Sequence, residues 1–166
     1  MSRKKREHKS RPGAKVSSNG VYFAFKNALN QQKPLNKREL SQLMVAPYIA
    51  LDALVKHDGG EAQGIDLAAA LTLGRIFAGR GIGEEYLPAF DLGLAALWRM
   101  KKRAKTHGKW RLDGDGIVAL RECLGLYEQQ FTYVTHKGFE TACVEARWMI
   151  GSDKNYVDIE HFEAAE

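Results

Sequence analysis

The sequence predicts an all-α protein, a single bundle of five or six helices with a disordered basic N-terminal arm. Apolar residues recur at spacings of three and four over most of the chain, which is the period of an amphipathic helix. Apart from one short apolar run near the N-terminus, no segment favours a strand, so a sheet would have no partners to pair. The 166 residues, 45% of them apolar, suffice for one domain with a buried core.

Charge divides the chain into three parts. Residues 1–15 hold seven basic side chains and one acid, a net charge of +6, whereas the rest of the chain carries −1. A segment this charged has little apolar surface to bury, so we expect a disordered basic arm over residues 1–19. The helical bundle then covers residues 20–151. An acidic C-terminal tail with five acids and one lysine covers residues 152–166.

The bundle should begin with one short and one long helical segment. The apolar run at residues 21–25 fits either a short strand or a helical turn, and we favour a helix over residues 21–32. Asn36 and Glu39 have the spacing of a capping box, which predicts the start of a clearer helix.

Apolar residues continue from Leu40 to Val55 at helical spacing. Pro47 removes a backbone donor within this run, so we expect a break or kink near residue 46. Gly59 and Gly60 should end the segment.

Two further long helices are expected in the middle of the chain. Residues 65–78 are apolar nearly all round, which suits a helix at the centre of a bundle. A glycine-rich loop at residues 79–83 should follow, and then a helix from Glu84 to about His107. The inner stripe of that helix is formed by Leu87, Phe90, Leu94, Leu97 and Trp98. Charges surround the helix beyond residue 98, so we expect this end to project into solvent until Gly108 stops it.

The last two helices form the clearest pattern. Residues 113–134 carry a heptad-like seam of two and a half repeats, too short for a coiled coil. The seam consists of Ile117, Leu120, Leu124, Tyr127, Phe131 and Val134. A turn at residues 135–138 leads into a final helix to about Ile150. Its inward positions are Phe139, Ala142, Cys143, Ala146, Met149 and Ile150. The short turn predicts an antiparallel hairpin.

The sequence disfavours several classes of protein. Two cysteines do not make a disulfide scaffold, and we expect both to be small reduced core residues. No apolar run reaches membrane-spanning length, and no apolar stretch directly follows the basic N-terminus as in a secretory signal. The five histidines show no metal-ligand spacing, and no nucleophile elbow or paired carboxylates occur. We therefore expect a cytoplasmic, non-enzymatic protein without cofactor or metal.

Three motif-like segments have simpler explanations. The glycines at residues 79–83 lack the Lys-Ser/Thr of a phosphate-binding loop, which predicts a plain interhelical loop. Residues 111–122 resemble a calcium loop but place Arg111 at the first ligand position, so Asp113 or Asp115 is better interpreted as a helix cap. Residues 39–54 fit some positions of a helix-turn-helix, yet offer few base-reading groups, and a kinked core helix is simpler.

Two basic clusters are the candidate binding surfaces. Clustered cations attract phosphates through counterion release, without reading sequence. The cations of the arm are Arg3, Lys4, Lys5, Arg6, Lys9 and Arg11, followed by Lys15. The second cluster, at residues 99–111, contains no acid and is represented by Arg99, Lys101, Lys102, Arg103 and Lys105, with Lys109 and Arg111 beyond them. Alternatively, these charges favour the dipole at a helix end and keep the chain soluble.

Several segments together resemble a family of small uncharacterised helical proteins with a basic N-terminus, encoded by phages, prophages and plasmids of proteobacteria. The segments are Lys9-Ser-Arg-Pro-Gly-Ala-Lys-Val16, Ala50-Leu-Asp-Ala-Leu54, the loop at residues 79–83 and Thr106-His-Gly-Lys-Trp-Arg-Leu-Asp-Gly-Asp115. The resemblance implies a mobile-element origin and a cytoplasmic host setting, and it supplies no site residues. We expect an accessory protein that binds DNA or RNA nonspecifically. The alternative is a protein-binding modulator of a host enzyme or defence system. The oligomeric state is left open.

Overall fold

A computed structural model describes residues 31–151, and in this range the chain is all-α, as the sequence predicts. Five α-helices follow one another: α1 Lys37–Val55, α2 Glu61–Gly79, α3 Leu87–His107, α4 Gly114–Gln130 and α5 His136–Gly151. A 3₁₀ turn, Glu84–Tyr86, leads directly into α3. The basic arm at residues 1–19, most of the expected helix at 21–32 and the acidic tail lie outside the described residues.

The start of α1 is built as the sequence predicts. The Asn36 side-chain oxygen accepts hydrogen bonds from the backbone N–H groups of Arg38 and Glu39, both at 3.0 Å. The Glu39 carboxylate accepts from the Asn36 N–H at 2.8 Å and completes the capping box.

Of the break or kink expected near residue 46, the break does not occur. Helix α1 runs unbroken from Lys37 to Val55, and Pro47 is buried within it. Pro47 is buried on the same helix as Met44 and Leu51, which belong to the core. A continuous helix also excludes a helix-turn-helix at residues 39–54, since that motif needs a turn here.

The end of α1 also differs from the prediction. The helix ends at Val55, before the glycine pair, and His57 takes the left-handed conformation with φ of 67°. The N–H groups of Asp58 and Gly59 both bond to the Ala53 carbonyl, at 2.9 and 3.0 Å. The chain therefore turns on a histidine at a position where glycine is the usual residue.

Helix α2 occupies the centre of the bundle, as its apolar composition predicts. It packs against each of the other four helices. Its Gly74 lies against the Phe90 ring of α3, and a Cβ at Gly74 would overlap that ring. Gly93 of α3 is equally close, because a Cβ there would lie 2.5 Å from the Cys123 Sγ and 2.6 Å from Leu71. The glycines thus let α3 approach both α2 and α4.

An aromatic cluster joins α2, α4 and α5. Phe131 lies at its centre, with ring centroids 5.8 Å from Phe77, 4.7 Å from Tyr127 and 5.8 Å from Phe139. The predicted seam of α4 is buried along most of its length, including Leu120, Leu124, Tyr127, Phe131 and Val134. It faces the core of this chain.

The last two helices, predicted as a hairpin, contact each other at the turn, where the rings of Phe139 and Phe131 lie 5.8 Å apart. Along the helix, the backbone contacts of α5 are mainly with α2. None of the helices in residues 31–151 combines the length and apolarity of a membrane span.

Candidate nucleic-acid interface

The second basic cluster lies at the C-terminal end of α3. Long basic side chains favour helix here, and Lys105 and His107 place positive charge on the last turn, where the dipole is negative. Gly108 ends the helix with φ of 69°, and its N–H bonds to the Ala104 carbonyl at 2.7 Å. The predicted stop at this glycine is confirmed.

The expectation that this end projects into solvent is wrong. Met100 is fully buried and Ala104 is 7% exposed, so the inner stripe of α3 continues beyond residue 98. Trp110 in the following loop packs on Gly64, where a Cβ would lie 3.1 Å from its ring. The basic cluster therefore sits on a fixed platform formed by the ends of α2 and α3.

Asp113 holds α4 to this platform. Its carboxylate accepts from the Gly116 N–H at 2.7 Å, which identifies Asp113 as the N-cap that the sequence left open between two aspartates. The Arg103 guanidinium donates to the same carboxylate at 2.9 Å and to the Arg111 carbonyl at 3.1 Å. Arg99 lies 4.0 Å from it.

The electrostatics of Asp113 follow from these partners. Burial by itself would raise the pKa of the Asp113 carboxyl. The hydrogen bonds from Arg103 and the Gly116 N–H, with the charges of Arg103 and Arg99, outweigh burial and lower that pKa overall. The carboxylate thus stays ionised and offsets positive charge on its two arginine partners.

We call the other five cations of the cluster the basic end: Lys101, Lys102, Lys105, Lys109 and Arg111. Lys102, Lys105, Lys109 and Arg111 are exposed and Lys101 is half-buried. The Lys102 ammonium also lies over the Trp98 ring, 4.8 Å from its centroid. Of the five cluster residues predicted to bind nucleic acid, Lys101, Lys102 and Lys105 belong to the basic end, whereas Arg99 and Arg103 are engaged with Asp113.

The first described residues do not lie next to the basic end. The arm residues lie outside the described range, and the described part of the chain begins beside the turn after α4. The Leu35 N–H bonds to the Val134 carbonyl at 3.4 Å, and the His136 N–H to the Lys33 carbonyl at 3.1 Å. The basic end lies where α4 begins, and the 17 residues of α4 span about 25 Å.

Gln130 was missed because the seam was interpreted from its apolar positions alone. Its side chain is 1% exposed, and its amide nitrogen donates to the carbonyls of Gly74 at 2.9 Å and Ile82 at 2.8 Å. It thereby ties the interhelical loop at residues 79–83 to α4. The signal was a polar residue three positions after Tyr127 and four before Val134, on the buried face.

A groove of about 560 Å³ lies beside that loop, at the opposite end of the bundle from the basic end. Its walls are the loop glycines, Glu85, Tyr86 and the residues around Gln130 and Tyr133. The loop connects α2 to the 3₁₀ turn before α3.

The two cysteines are poor nucleophiles. Burial, with a smaller contribution from the charge of Glu122, raises the pKa of the Cys123 thiol to about 12. The Cys123 thiol donates to the Ala89 carbonyl at 3.1 Å. Burial also raises the pKa of Cys143. Within residues 31–151, no three His, Cys, Asp or Glu side chains converge as a metal site requires.

The basic end therefore groups five cations on a stretch of backbone that Met100, Ala104 and Trp110 pack against the bundle. Compared with known proteins, the chain matches no family model, no curated protein and no solved structure.

Proposed function

We propose that the protein binds DNA or RNA nonspecifically and without catalysis, through the basic end together with the basic arm. The observation that carries the proposal is the basic end itself: five cations on the α3 end and its loop, four of them exposed. Such a surface gains affinity for a phosphate backbone by releasing condensed counterions.

The arm would act as a second contact. It joins the bundle about 25 Å from the basic end, which corresponds to the length of α4. The nineteen residues of the arm can extend to about 65 Å, so the arm can follow a backbone in either direction from its attachment. A nonspecific accessory role in a phage or other mobile element, in the cytoplasm of a host cell, is consistent with the resemblance of the sequence.

The test compares two triple variants with equal changes of charge. The first, Lys102→Glu, Lys105→Glu and Lys109→Glu, reverses the basic end but keeps Arg103 on Asp113, so the cap of α4 stays intact. The second, Lys37→Glu, Arg38→Glu and Lys137→Glu, reverses exposed cations at the other end of the bundle. Binding to a fluorescent 20-base-pair duplex and to an RNA hairpin is measured by anisotropy at low salt.

We expect the first variant to bind at least about tenfold more weakly than the natural chain, because three phosphate contacts are lost. The second variant should lose clearly less. Equal losses would mean that only net charge matters, and no loss in either would refute the basic end as the interface. Thermal melts of both variants verify that the fold is kept.

A protein partner is the second candidate, because α1 exposes an apolar strip. Val45 is 53% exposed and Ile49, one turn later, 63% exposed. Large apolar side chains adjacent on one helix face are typical of a docking surface for another protein. If nucleic-acid binding fails, Val45→Ser with Ile49→Ser should abolish capture of a host protein that the basic-end variant still captures.

A further inference from the structure

We propose that the groove beside the loop at residues 79–83 binds a small organic cation that carries N–H donors, an ammonium or a guanidinium. Two independent observations carry this proposal. Gln130, which lines the groove, holds a buried acceptor oxygen without a donor, and the side chains around it include two tyrosines and a carboxylate. The groove and the basic end lie at opposite ends of the bundle, so this proposal does not depend on nucleic-acid binding.

The orientation of the Gln130 side-chain amide is fixed by its two donor bonds. Its Nε2 donates to the carbonyl of Gly74 at 2.9 Å and to that of Ile82 at 2.8 Å. The reverse orientation would place the amide oxygen against two carbonyl oxygens, so Oε1 and Nε2 cannot exchange places. Oε1 is therefore the acceptor that remains, shielded from solvent and bonded to no donor within residues 31–151.

A buried acceptor of this kind needs a donor from outside the described part of the chain. Nearly all buried amide oxygens in proteins accept a hydrogen bond, because an unpartnered one has lost its bonds to water. Gln130 is buried and borders the groove, so a donor that enters the groove is the one placed to reach Oε1. A ligand with N–H groups can supply this bond, whereas a carboxylate or an ether cannot.

The charge around the groove favours a cation. Among the described residues that line it, Glu85 is the one charged side chain, and it is exposed. Arg80 in the same loop does not line the groove, and its guanidinium bonds to the Glu145 carboxylate and the Gly138 carbonyl. A cation in the groove would therefore meet a carboxylate without a positive side chain on the lining to repel it.

Two tyrosines supply ring faces for such a cation. The Tyr86 ring lies against Gly83, where a Cβ would overlap it, and its hydroxyl donates to the Gln129 Oε1 at 3.4 Å. Tyr133 is 76% exposed, so its ring can move over a bound group without leaving the core. Ammonium and guanidinium groups bind over aromatic rings and keep N–H groups for other acceptors. A groove of about 560 Å³ also has the size of a small-molecule site.

The first test compares four small probes on the full chain in the absence of nucleic acid. Putrescine carries ammonium groups, and agmatine replaces one of them with a guanidinium. Tetramethylammonium has the charge but no N–H donor, and 1,4-butanediol has donors but no charge. Each probe is titrated while NMR records the backbone amides of Gly81, Gly83 and Tyr133 and the side-chain amide of Gln130.

We expect putrescine and agmatine to bind at least about fivefold more tightly than the other two probes and to shift the Gln130 side-chain amide. Equal binding of butanediol would show that charge is not recognised, and equal binding of tetramethylammonium that no donor is needed. Either result would overturn the proposal. So would binding that leaves the Gln130 amide unchanged, or no binding of any probe up to about 20 mM.

The second test locates the site with matched variants. Glu85→Gln removes the carboxylate of the groove and Tyr133→Leu removes a ring face, so each should weaken agmatine binding about threefold. The controls are Glu84→Gln, an exposed neighbour that does not line the groove, and Tyr133→Phe, which keeps the ring. Both controls should bind agmatine like the natural chain, and thermal melts verify the fold. Equal losses in Glu84→Gln and Glu85→Gln, or no loss in Tyr133→Leu, would contradict the site.

Discussion

Leu124 offers the strongest test of how the bundle is held together. Its side chain is 0% exposed in the buried seam of α4, whose neighbours are α1, α2 and α3. Leu124→Ala removes three carbons and leaves a cavity that helices on three sides cannot easily close. Such substitutions cost about 2–5 kcal/mol, and we expect a loss of about 3–4 kcal/mol in the free energy of unfolding.

The control is the same substitution at an exposed leucine. Leu92 on α3 is 58% exposed, so Leu92→Ala should cost less than about 0.5 kcal/mol. Both are measured by urea unfolding followed by circular dichroism, where the denaturant slope should stay unchanged. If Leu124→Ala proves too unstable to purify, Leu124→Met should fold and cost less than about 1.5 kcal/mol. A loss under about 1 kcal/mol for Leu124→Ala, or equal losses at both leucines, would refute the packing described for α4.

Four further predictions follow from individual contacts. Gly93→Ala should destabilise the fold by about 1–3 kcal/mol in the same urea assay, because the added carbon meets Cys123 and Leu71; an unchanged midpoint would contradict the close approach of α3 and α4. Asp113→Ala should cost about 1 kcal/mol through loss of the cap, whereas Asp115→Ala should cost less, and the reverse order would exchange their roles. Because the pKa of Asp113 is lowered in the folded state, its ionised form stabilises the fold above about pH 4, and this contribution is lost as the pH falls through the folded pKa. The free energy of unfolding of Asp113→Asn should therefore fall less steeply with decreasing pH than that of the natural chain. Native-state thiol labelling followed by mass spectrometry should modify the half-buried Cys143 before Cys123, which should react only on unfolding, and rapid labelling of Cys123 would contradict its burial.

Local signals in the sequence predicted the helices well. The capping box at Asn36 and the stop at Gly108 depend on a few neighbouring residues and need no tertiary information. The central place of α2 followed from its apolar composition. These features are determined by chemistry within one or two turns of the chain.

Tertiary packing decided the features that the sequence did not predict. Pro47 is buried within α1, and its burial depends on helices far away in the chain. Trp110 packs the end of α3 on Gly64, a contact that no periodicity reveals. Likewise, the backbone contacts of α5 are mainly with α2, which the short turn after α4 does not indicate.

The sequence predicted which cations form the candidate site, and the structure shows which of them pair with Asp113. Arg99 and Arg103 look like Lys105 in the sequence, but Asp113 offsets the charge of the two arginines, whereas Lys105 is exposed. The distance between the first described residues and the basic end depends on the direction of α4, and that direction cannot be inferred from the sequence alone.

The salt dependence of nucleic-acid binding by the full chain tests the central claim most directly. Anisotropy with the 20-base-pair duplex is measured between 50 and 200 mM salt, and the logarithm of the association constant is plotted against that of salt concentration. Phosphate contacts from the five cations of the basic end predict a slope of about −4.5, a loss of about 500-fold over this range, and arm contacts would steepen it. A slope flatter than about −2, or no binding at the lowest salt, would contradict the account.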